Sequence, residues 1–190
     1  MSIPNYCDVK YWNKRYREQS KTTFDWLEDF ESLKDYLLPL VSSESKVLIA
    51  GCGNSQLGEL LYQKGTEKVF NVDFSESVIE IMSQAHRDKL RMKWEVMDVQ
   101  SLSYPSEYFD LVLDKSTLDT LLCEVKPSAE LALAQYFRVL RKDGKCLIVS
   151  FNEPETMLPL ISQQTRAFTV TQTGSEAFPN YIYCLQKEAE

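Results

Sequence analysis

A mostly parallel, doubly wound α/β sheet is the fold this sequence predicts, and three observations carry the prediction. An apolar run, Val47-Leu48-Ile49-Ala50, leads into a turn with glycines at 51 and 53 and then into residues with helical spacing. Strand-like and helix-like stretches then alternate as far as Phe151. Two further strand-like runs close the chain with a turn between them. Alternation of this kind builds a parallel sheet with helices on both faces, and a closing hairpin adds a strand of opposite direction. The expected sheet has seven strands, with the reversed one at its edge.

Residues 6–17 read as a short helix in which Trp12 and Tyr16 share a face at i, i+4. Thr22 to Trp26 reads as a connector that ends in the aromatic pair Phe24 and Trp26. A second helix carries Phe30, Leu33, Leu37 and Leu40 on one stripe and ends near Pro39. These rings precede the first strand, so they belong to a layer beside the sheet. Composition alone favours core packing for them, although such layers also cap ligand pockets.

The first strand, residues 47–50, is apolar throughout, as a strand buried on both faces should be. Gly51 and Gly53 mark a tight turn that opens the backbone to a ligand. Asn54 or Ser55 is expected to cap the next helix, which buries Leu57, Leu60 and Leu61 and ends at Gly65. The spacing excludes three neighbours. A dinucleotide fingerprint needs glycine where Gln56 stands, and a P-loop needs Gly-Lys-Ser/Thr, whereas Gly58 is followed by Glu59 and Leu60. A nucleophile elbow needs glycine where Leu57 stands. What remains suits an adenosine ligand without a pyrophosphate, or a plain tight turn.

The second strand is Lys68 to Asp73, and Asp73 closes it twenty residues after Gly53. A carboxylate there accepts hydrogen bonds from ribose hydroxyls. It also suits a helix cap, but Ser75 or Ser77 is at hand for that, and Ser77 to Glu80 fits the capping box. Val78, Ile79, Met82 and Ala85 form the buried face of that helix. The third strand is Met92 to Met97, followed by Asp98-Val99. Asp98 is a turn residue or an acceptor for the exocyclic amine of adenine, at the end of the sheet where open α/β folds bind ligands. The fourth strand, Phe109 to Leu113, runs into Asp114-Lys115-Ser116-Thr117-Leu118-Asp119, either a solvated loop or part of a site. A helix with Leu133, Phe137 and Leu140 follows and stops at Lys142-Asp143-Gly144. The fifth strand is Lys145 to Phe151. Pro154 to Gln163 reads as a helix. Phe168 to Thr173 and Asn180 to Gln186 read as paired strands joined through residues 174–179, and the tail from Lys187 to Glu190 is expected to fray.

At 190 residues the chain suits one domain, with a helical cap over 1–44, a cofactor-binding core over 45–151 and a closing helix and strand pair over 152–190. The net charge of -7 argues against electrostatic binding of nucleic acid and is compatible with a basic protein partner. Five scattered cysteines without a C-x-x-C pair read as reduced thiols in a cytosolic or nuclear compartment, not as a disulfide frame or zinc site. His86, the single histidine, has no metal-ligand companion and reads as a surface residue. No apolar run is long enough to cross a membrane, and the first residues carry no apolar leader core.

The glycine turn, the acid closing the second strand, the Asp after the third and the reversed last strand resemble class I S-adenosylmethionine-dependent methyltransferases. A closer resemblance covers nearly the whole chain. Tyr11-Trp12 to Tyr16, Phe24-Asp25-Trp26, the GCGNS stretch at 51–55, Met97-Asp98-Val99 and residues 112–122 are similar to a family of protein lysine methyltransferases. That family includes the elongation factor 1-alpha lysine methyltransferases and a mitochondrial citrate synthase methyltransferase. The resemblance implies a Rossmann-like class I methyltransferase fold with S-adenosyl-L-methionine as cofactor and no metal. It implies that Trp12, Tyr16, Trp26, Gly51, Asp73, Phe74, Asp98, Val99 and Lys115 contact that cofactor. It also implies methylation of a protein substrate, elongation factor 1-alpha, by a cytoplasmic monomer that engages neither nucleic acid nor membrane. Ser116 departs from the pattern, since a glycine is expected between Lys115 and Thr117. The segment after Leu122 is expected near the protein-substrate groove. No base is assigned, and Asp114 or Asp119 is the candidate to orient the amine or relay its proton. Two alternatives stay open: a small-molecule methyltransferase on the same fold, and a catalytically silent module that keeps the cofactor site as a brace.

Overall fold

The structure is a computed structural model that describes residues 5–19, 22–123 and 128–188. Its centre is a seven-stranded sheet in the order β3-β2-β1-β4-β5-β7-β6. Strand β1 (Lys46–Ala50) lies between β2 (Lys68–Asp73) and β4 (Phe109–Lys115) and is parallel to both. Outside them β3 (Lys93–Val96) and β5 (Leu140–Ser150) continue in the same direction. Strand β7 (Phe178–Gln186) runs antiparallel to β5, and β6 (Phe168–Ser175) runs antiparallel to β7. The expected fold class holds with one correction: the reversed strand is β7, and it sits inside the sheet while β6 takes the edge. Burial explains the order. Strand β7 buries Ile182, Tyr183 and Leu185, whereas the threonine-rich β6 has no buried residue and tolerates one open side.

The helices are α1 (Val9–Glu18), α2 (Phe30–Leu37), α3 (Leu57–Gln63), α4 (Glu76–Ala85), α5 (Thr117–Leu122), α6 (Ser128–Val139) and α7 (Pro154–Ile161). Among the described residues none is long and apolar enough to cross a membrane. Side chains alternate across each strand, so β1 sends Leu48 and Ala50 to one face and Val47 and Ile49 to the other. The first face packs against Leu118 of α5, Leu133 and Tyr136 of α6 and Met157 of α7. The second packs against Leu57 and Leu61 of α3, Val78 and Met82 of α4, and also Trp12, Tyr16, Leu33 and Leu37 of the amino-terminal layer. That layer is therefore fastened to the face from which the glycine turn departs.

Several local expectations change in detail. Helix α4 is capped by Ser75, whose Oγ accepts from the Val78 N–H at 3.4 Å, while Ser77 sits within its first turn. Helix α3 begins after Gln56, which makes no capping bond, yet the Ser55 Oγ accepts from the Leu57 N–H at 3.1 Å. Gly65 ends α3 at φ +102. Helix α2 passes at Pro39 into a short 3-10 turn. Leu140 opens β5 opposite Phe109 instead of extending the helical stripe, and the register shifts between Phe109 and Leu111. The stretch offered as a solvated loop, residues 114–119, is the end of β4 and the start of α5. His86 is buried, not a surface residue, and stacks on Trp94 with ring centres 5.4 Å apart. Of the segment expected near the substrate groove, residues 124–127 lie outside the described residues, as do 189–190 of the tail expected to fray.

Candidate active site

A cavity of about 390 Å³ opens at the carboxyl ends of β1, β2 and β4, within the range of small-molecule sites. All nine residues singled out in the sequence line it, and they come from six separate stretches of chain. Its floor is the glycine turn. Gly51 (φ +63) and Gly53 (φ +49) both hold left-handed backbone. A Cβ on Gly51 would lie 2.0 Å from the Thr117 Oγ1, and one on Gly53 would lie 2.7 Å from the Tyr16 hydroxyl. Glycine is needed here for conformation and for space alike. The Thr117 hydroxyl donates to the Ala50 carbonyl at 3.0 Å, which seats α5 against the turn.

Asp73 is buried at the end of β2. Its Oδ2 accepts from the Gly53 N–H at 3.0 Å and its Oδ1 from the Ser75 N–H at 2.9 Å. Desolvation pushes its carboxyl up to about 6, against the pull of those two backbone donors. Each carboxylate oxygen has a second acceptor direction, and Asp73 borders the cavity. Phe74 follows it along the wall. Beyond β3, Asp98 is exposed, with its Oδ1 accepting from the Gln100 N–H at 2.8 Å, and Val99 is buried beside it.

The roof is aromatic. Trp12 and Tyr16 are buried and stack with ring centres 5.5 Å apart. Trp26 stands edge-on to Trp12 at 6.5 Å, and Phe24 edge-on to Trp26 at 5.1 Å. The Arg15 guanidinium lies 4.9 Å from the centre of the Trp26 ring. Burial, and secondarily the Asp73 charge, hold the Tyr16 hydroxyl far above the usual tyrosine range, so it stays a protonated donor.

Lys115 closes one wall, and its ammonium is engaged. Its Nζ pairs with the Asp25 Oδ1 at 3.0 Å and donates to the Trp26 carbonyl at 2.8 Å. The Ser55 hydroxyl also donates to Asp25, and the Asn54 amide donates to the Thr22 carbonyl at 2.7 Å. Glu28 accepts from the Thr173 hydroxyl and the Asn180 amide in the β6–β7 hairpin. Residues 22–28 thus form a strap drawn over the carboxyl edge of the sheet. Burial lowers the Lys115 pKa and the Asp25 carboxylate raises it, with burial the larger effect. Among the described lining residues no other lysine or arginine is present, so the cavity offers no spare cation to a phosphate.

The two candidate proton-handling carboxylates are both engaged by protein donors. Asp114 lies outside the cavity lining. Its Oδ2 accepts from the Tyr136 hydroxyl at 2.7 Å, and its Oδ1 from the N–H groups of Thr117 at 3.1 Å and Leu118 at 3.2 Å. Burial pushes it up to about 7. Asp119 borders the cavity, but it accepts from the Ser150 hydroxyl, the Asn152 amide at 2.8 Å and the Phe151 N–H at 3.3 Å. Both carboxylates brace α5 against the sheet; Asp114 is closed off from the cavity by its partners, whereas Asp119 stays on the cavity border. Sequence reasoning missed this brace and the Asp25–Lys115 pair. One signal pointed to the turn: Ser116, where glycine was expected, holds left-handed backbone at φ +68.

Comparison with known proteins agrees with this geometry. The methyltransferase domain family matches residues 48–148. EEF1A lysine methyltransferase 4 of Mus musculus is 30% identical over 194 residues, covering 96% of this chain and 76% of the relative. The eEF1A lysine and N-terminal methyltransferase of Mus musculus is 32% identical over 170 residues, covering 87% of this chain but only 24% of that longer protein. Among solved structures, magnesium protoporphyrin IX methyltransferase from Synechocystis PCC 6803, with bound SAM, superposes with a TM-score of 0.70 at 15% identity, covering 98% of this chain and 99% of that one. At that identity the likeness shows the fold alone.

Proposed function

The chain belongs to the methyltransferase domain family, and from that premise we propose that it transfers a methyl group from S-adenosyl-L-methionine to a lysine side chain of translation elongation factor 1-alpha. The observation that carries this reading is the convergence of nine residues from six stretches on one cavity built over the glycine turn. A cavity whose described lining holds no spare cation suits a sulfonium ligand better than a pyrophosphate. Two glycines whose Cβ positions are already filled by Thr117 and Tyr16 leave bare backbone for a close-fitting nucleoside.

When bound, S-adenosylmethionine supplies a methyl group activated by its sulfonium charge. In this reading Asp73 holds the ribose hydroxyls, Asp98 and Val99 meet the adenine edge, and Gly51 lets the ligand approach the backbone. Trp12, Tyr16, Phe74 and Trp26 exclude water and present ring faces to positive charge. Lys115 holds the Trp26 strap in place beside the ligand. A free lysine amine has a pKa near 10.4, so presenting it neutral at pH 7 costs roughly 4.6 kcal/mol. An apolar approach beside a cation lowers that cost, because burial and like charge both disfavour the ammonium. The chain's part is positioning, with donor and amine held close in a dry site. We place the protein in the cytoplasm as a monomer; its scattered cysteines without a C-x-x-C pair suit a reducing compartment.

Calorimetry of the purified protein with S-adenosylmethionine, and with NAD in a parallel cell, tests the cofactor. Binding of the first alone is expected. Labelled methyl transfer to purified elongation factor 1-alpha tests the substrate, and transfer to small amines but not to that protein would overturn it.

A further inference from the structure

The described residues include six large hydrophobic side chains with substantial exposure, and three of them gather on the edge that carries the cavity. Phe24 (45% exposed) and Phe151 (50%) line the cavity, and Phe178 (81%) lies in the β6–β7 hairpin beyond the end of β5. The register places them together: Ser150 at the end of β5 pairs with Tyr181, and Glu28 of the strap bonds to Thr173 and Asn180 of the hairpin.

Each phenyl ring comes from a segment that carries carboxylates, and the Arg15 guanidinium lies 5.9 Å from the centre of the Phe24 ring. Residues 22–29 carry Asp25, Glu28 and Asp29, residues 150–156 carry Glu153 and Glu155, and residues 173–181 carry Glu176. None of these three segments contains lysine or arginine. Asp25 and Glu28 are already bonded, to Lys115 and to the β6–β7 hairpin, whereas Glu153, Glu155 and Glu176 are exposed and form no ion pair among the described residues. Among the described residues the cations Arg15 and Lys115 beside the rim are engaged, Arg15 over Trp26 and Phe24 and Lys115 with Asp25. At the opposite edge cations and carboxylates are paired, as in Lys68–Glu44, Arg91–Glu67 and Arg141–Asp110. Strands β1, β2 and β3 each begin with lysine, at Lys46, Lys68 and Lys93. The molecule is thus polarised along its strands, with apolar rings and unpaired negative charge around the cavity mouth.

Resting on the methyltransferase reading above, we propose that this rim docks an exposed segment of the protein substrate in which the lysine is flanked by cationic neighbours. Phe151 and Phe178 cover its aliphatic stems, and Glu153, Glu155 and Glu176 face its charges. Long cationic side chains suit such a surface because their stems pack on rings while their heads meet carboxylates. Charge on a rim acts mainly on encounter and partner choice, so the effect should weaken with salt.

The test uses the full chain saturated with S-adenosylhomocysteine and two synthetic peptides of equal length. One has a central lysine flanked by arginines, the other a central lysine flanked by glutamates. Fluorescence anisotropy is expected to show binding of the first, falling with added salt, and weak binding of the second. The joint change Glu153→Lys, Glu155→Lys and Glu176→Lys is expected to weaken the first peptide tenfold or more, with S-adenosylmethionine affinity unchanged. Phe178→Ser should weaken it by a smaller factor, and Glu80→Lys on the exposed face of α4 should leave it unaltered. Equal binding of both peptides, or full affinity in the triple variant with cofactor binding intact, would overturn the proposal. Methyl transfer to elongation factor 1-alpha is read on the same preparations. Its absence alongside a retained peptide preference would overturn the substrate assignment and leave the docking surface standing.

Discussion

Asp73 and Asp114 close neighbouring regions of the same sheet and look alike by residue type, position and burial. Each ends a parallel strand, each accepts backbone N–H donors from a following turn or helix start, and burial pushes both up, to about 6 and about 7. They differ in what occupies the remaining acceptor directions. Asp114 is completed by the Tyr136 hydroxyl from α6 and faces protein on every side given by its partners. Asp73 is held by two backbone groups and borders the cavity. A perturbed pKa at a strand end therefore marks burial. An acceptor left over toward an open space marks a ligand.

That contrast can be broken by substitution. Asp114→Ala strands the Tyr136 hydroxyl and two helix N–H groups in the core, and a loss of about 3 kcal/mol in unfolding free energy is expected. Chemical denaturation measures it. The folded fraction should keep its affinity for S-adenosylmethionine, and a large affinity loss in a fully folded sample would show that Asp114 serves the ligand. Asp73→Ala is expected to cost about 2 kcal/mol in cofactor binding, roughly thirtyfold. Wild-type affinity in calorimetry would end its assignment to the ribose. Lys115→Met separates the strap from the floor. It leaves Asp25 without its cation, and cofactor affinity should fall by about 1 kcal/mol. The simultaneous change Asp25→Asn should recover part of that loss, because the unpaired charge is gone.

The pH dependence sharpens the same comparison. Both carboxyls titrate higher in the folded protein than in the unfolded chain, so between about pH 4 and pH 7 the folded state holds more protons. Stability contributed by these groups is then fully present below the unfolded value and declines as pH rises toward 7. Asp114→Asn keeps an acceptor for the helix N–H groups and a donor for Tyr136, and removes one titrating group. Its denaturation midpoint should fall less between pH 5 and pH 8 than that of the wild type. The smallest effect is expected at Ser116. Glycine adopts its left-handed backbone without strain, so Ser116→Gly should gain at most about 1 kcal/mol, visible as a small rise in Tm.

Much of the architecture was legible before any coordinates. The β1–turn–α3 unit follows from an apolar run and two glycines that hold positive φ. The position of Asp73 was legible, at the end of β2 beside the glycine turn, and the structure puts it on the cavity border. The amino-terminal rings were ambiguous, since a buried tryptophan in a cap and one in a core have the same local pattern. His86 was misread because the ring that covers it, Trp94, comes from β3.

Strand content, helix faces and glycine turns were determined by the sequence itself, because torsional preference and apolar period act over a few neighbouring residues. The tertiary structure alone decided that β7 enters the sheet ahead of β6, that Asp114 and Asp119 brace α5, and that Lys115 fastens the strap. A polar side chain far from water takes whichever partner folding brings within hydrogen-bond reach. For Lys115 and Trp26 that partner lies 89 residues away along the chain, a separation that no local pattern encodes.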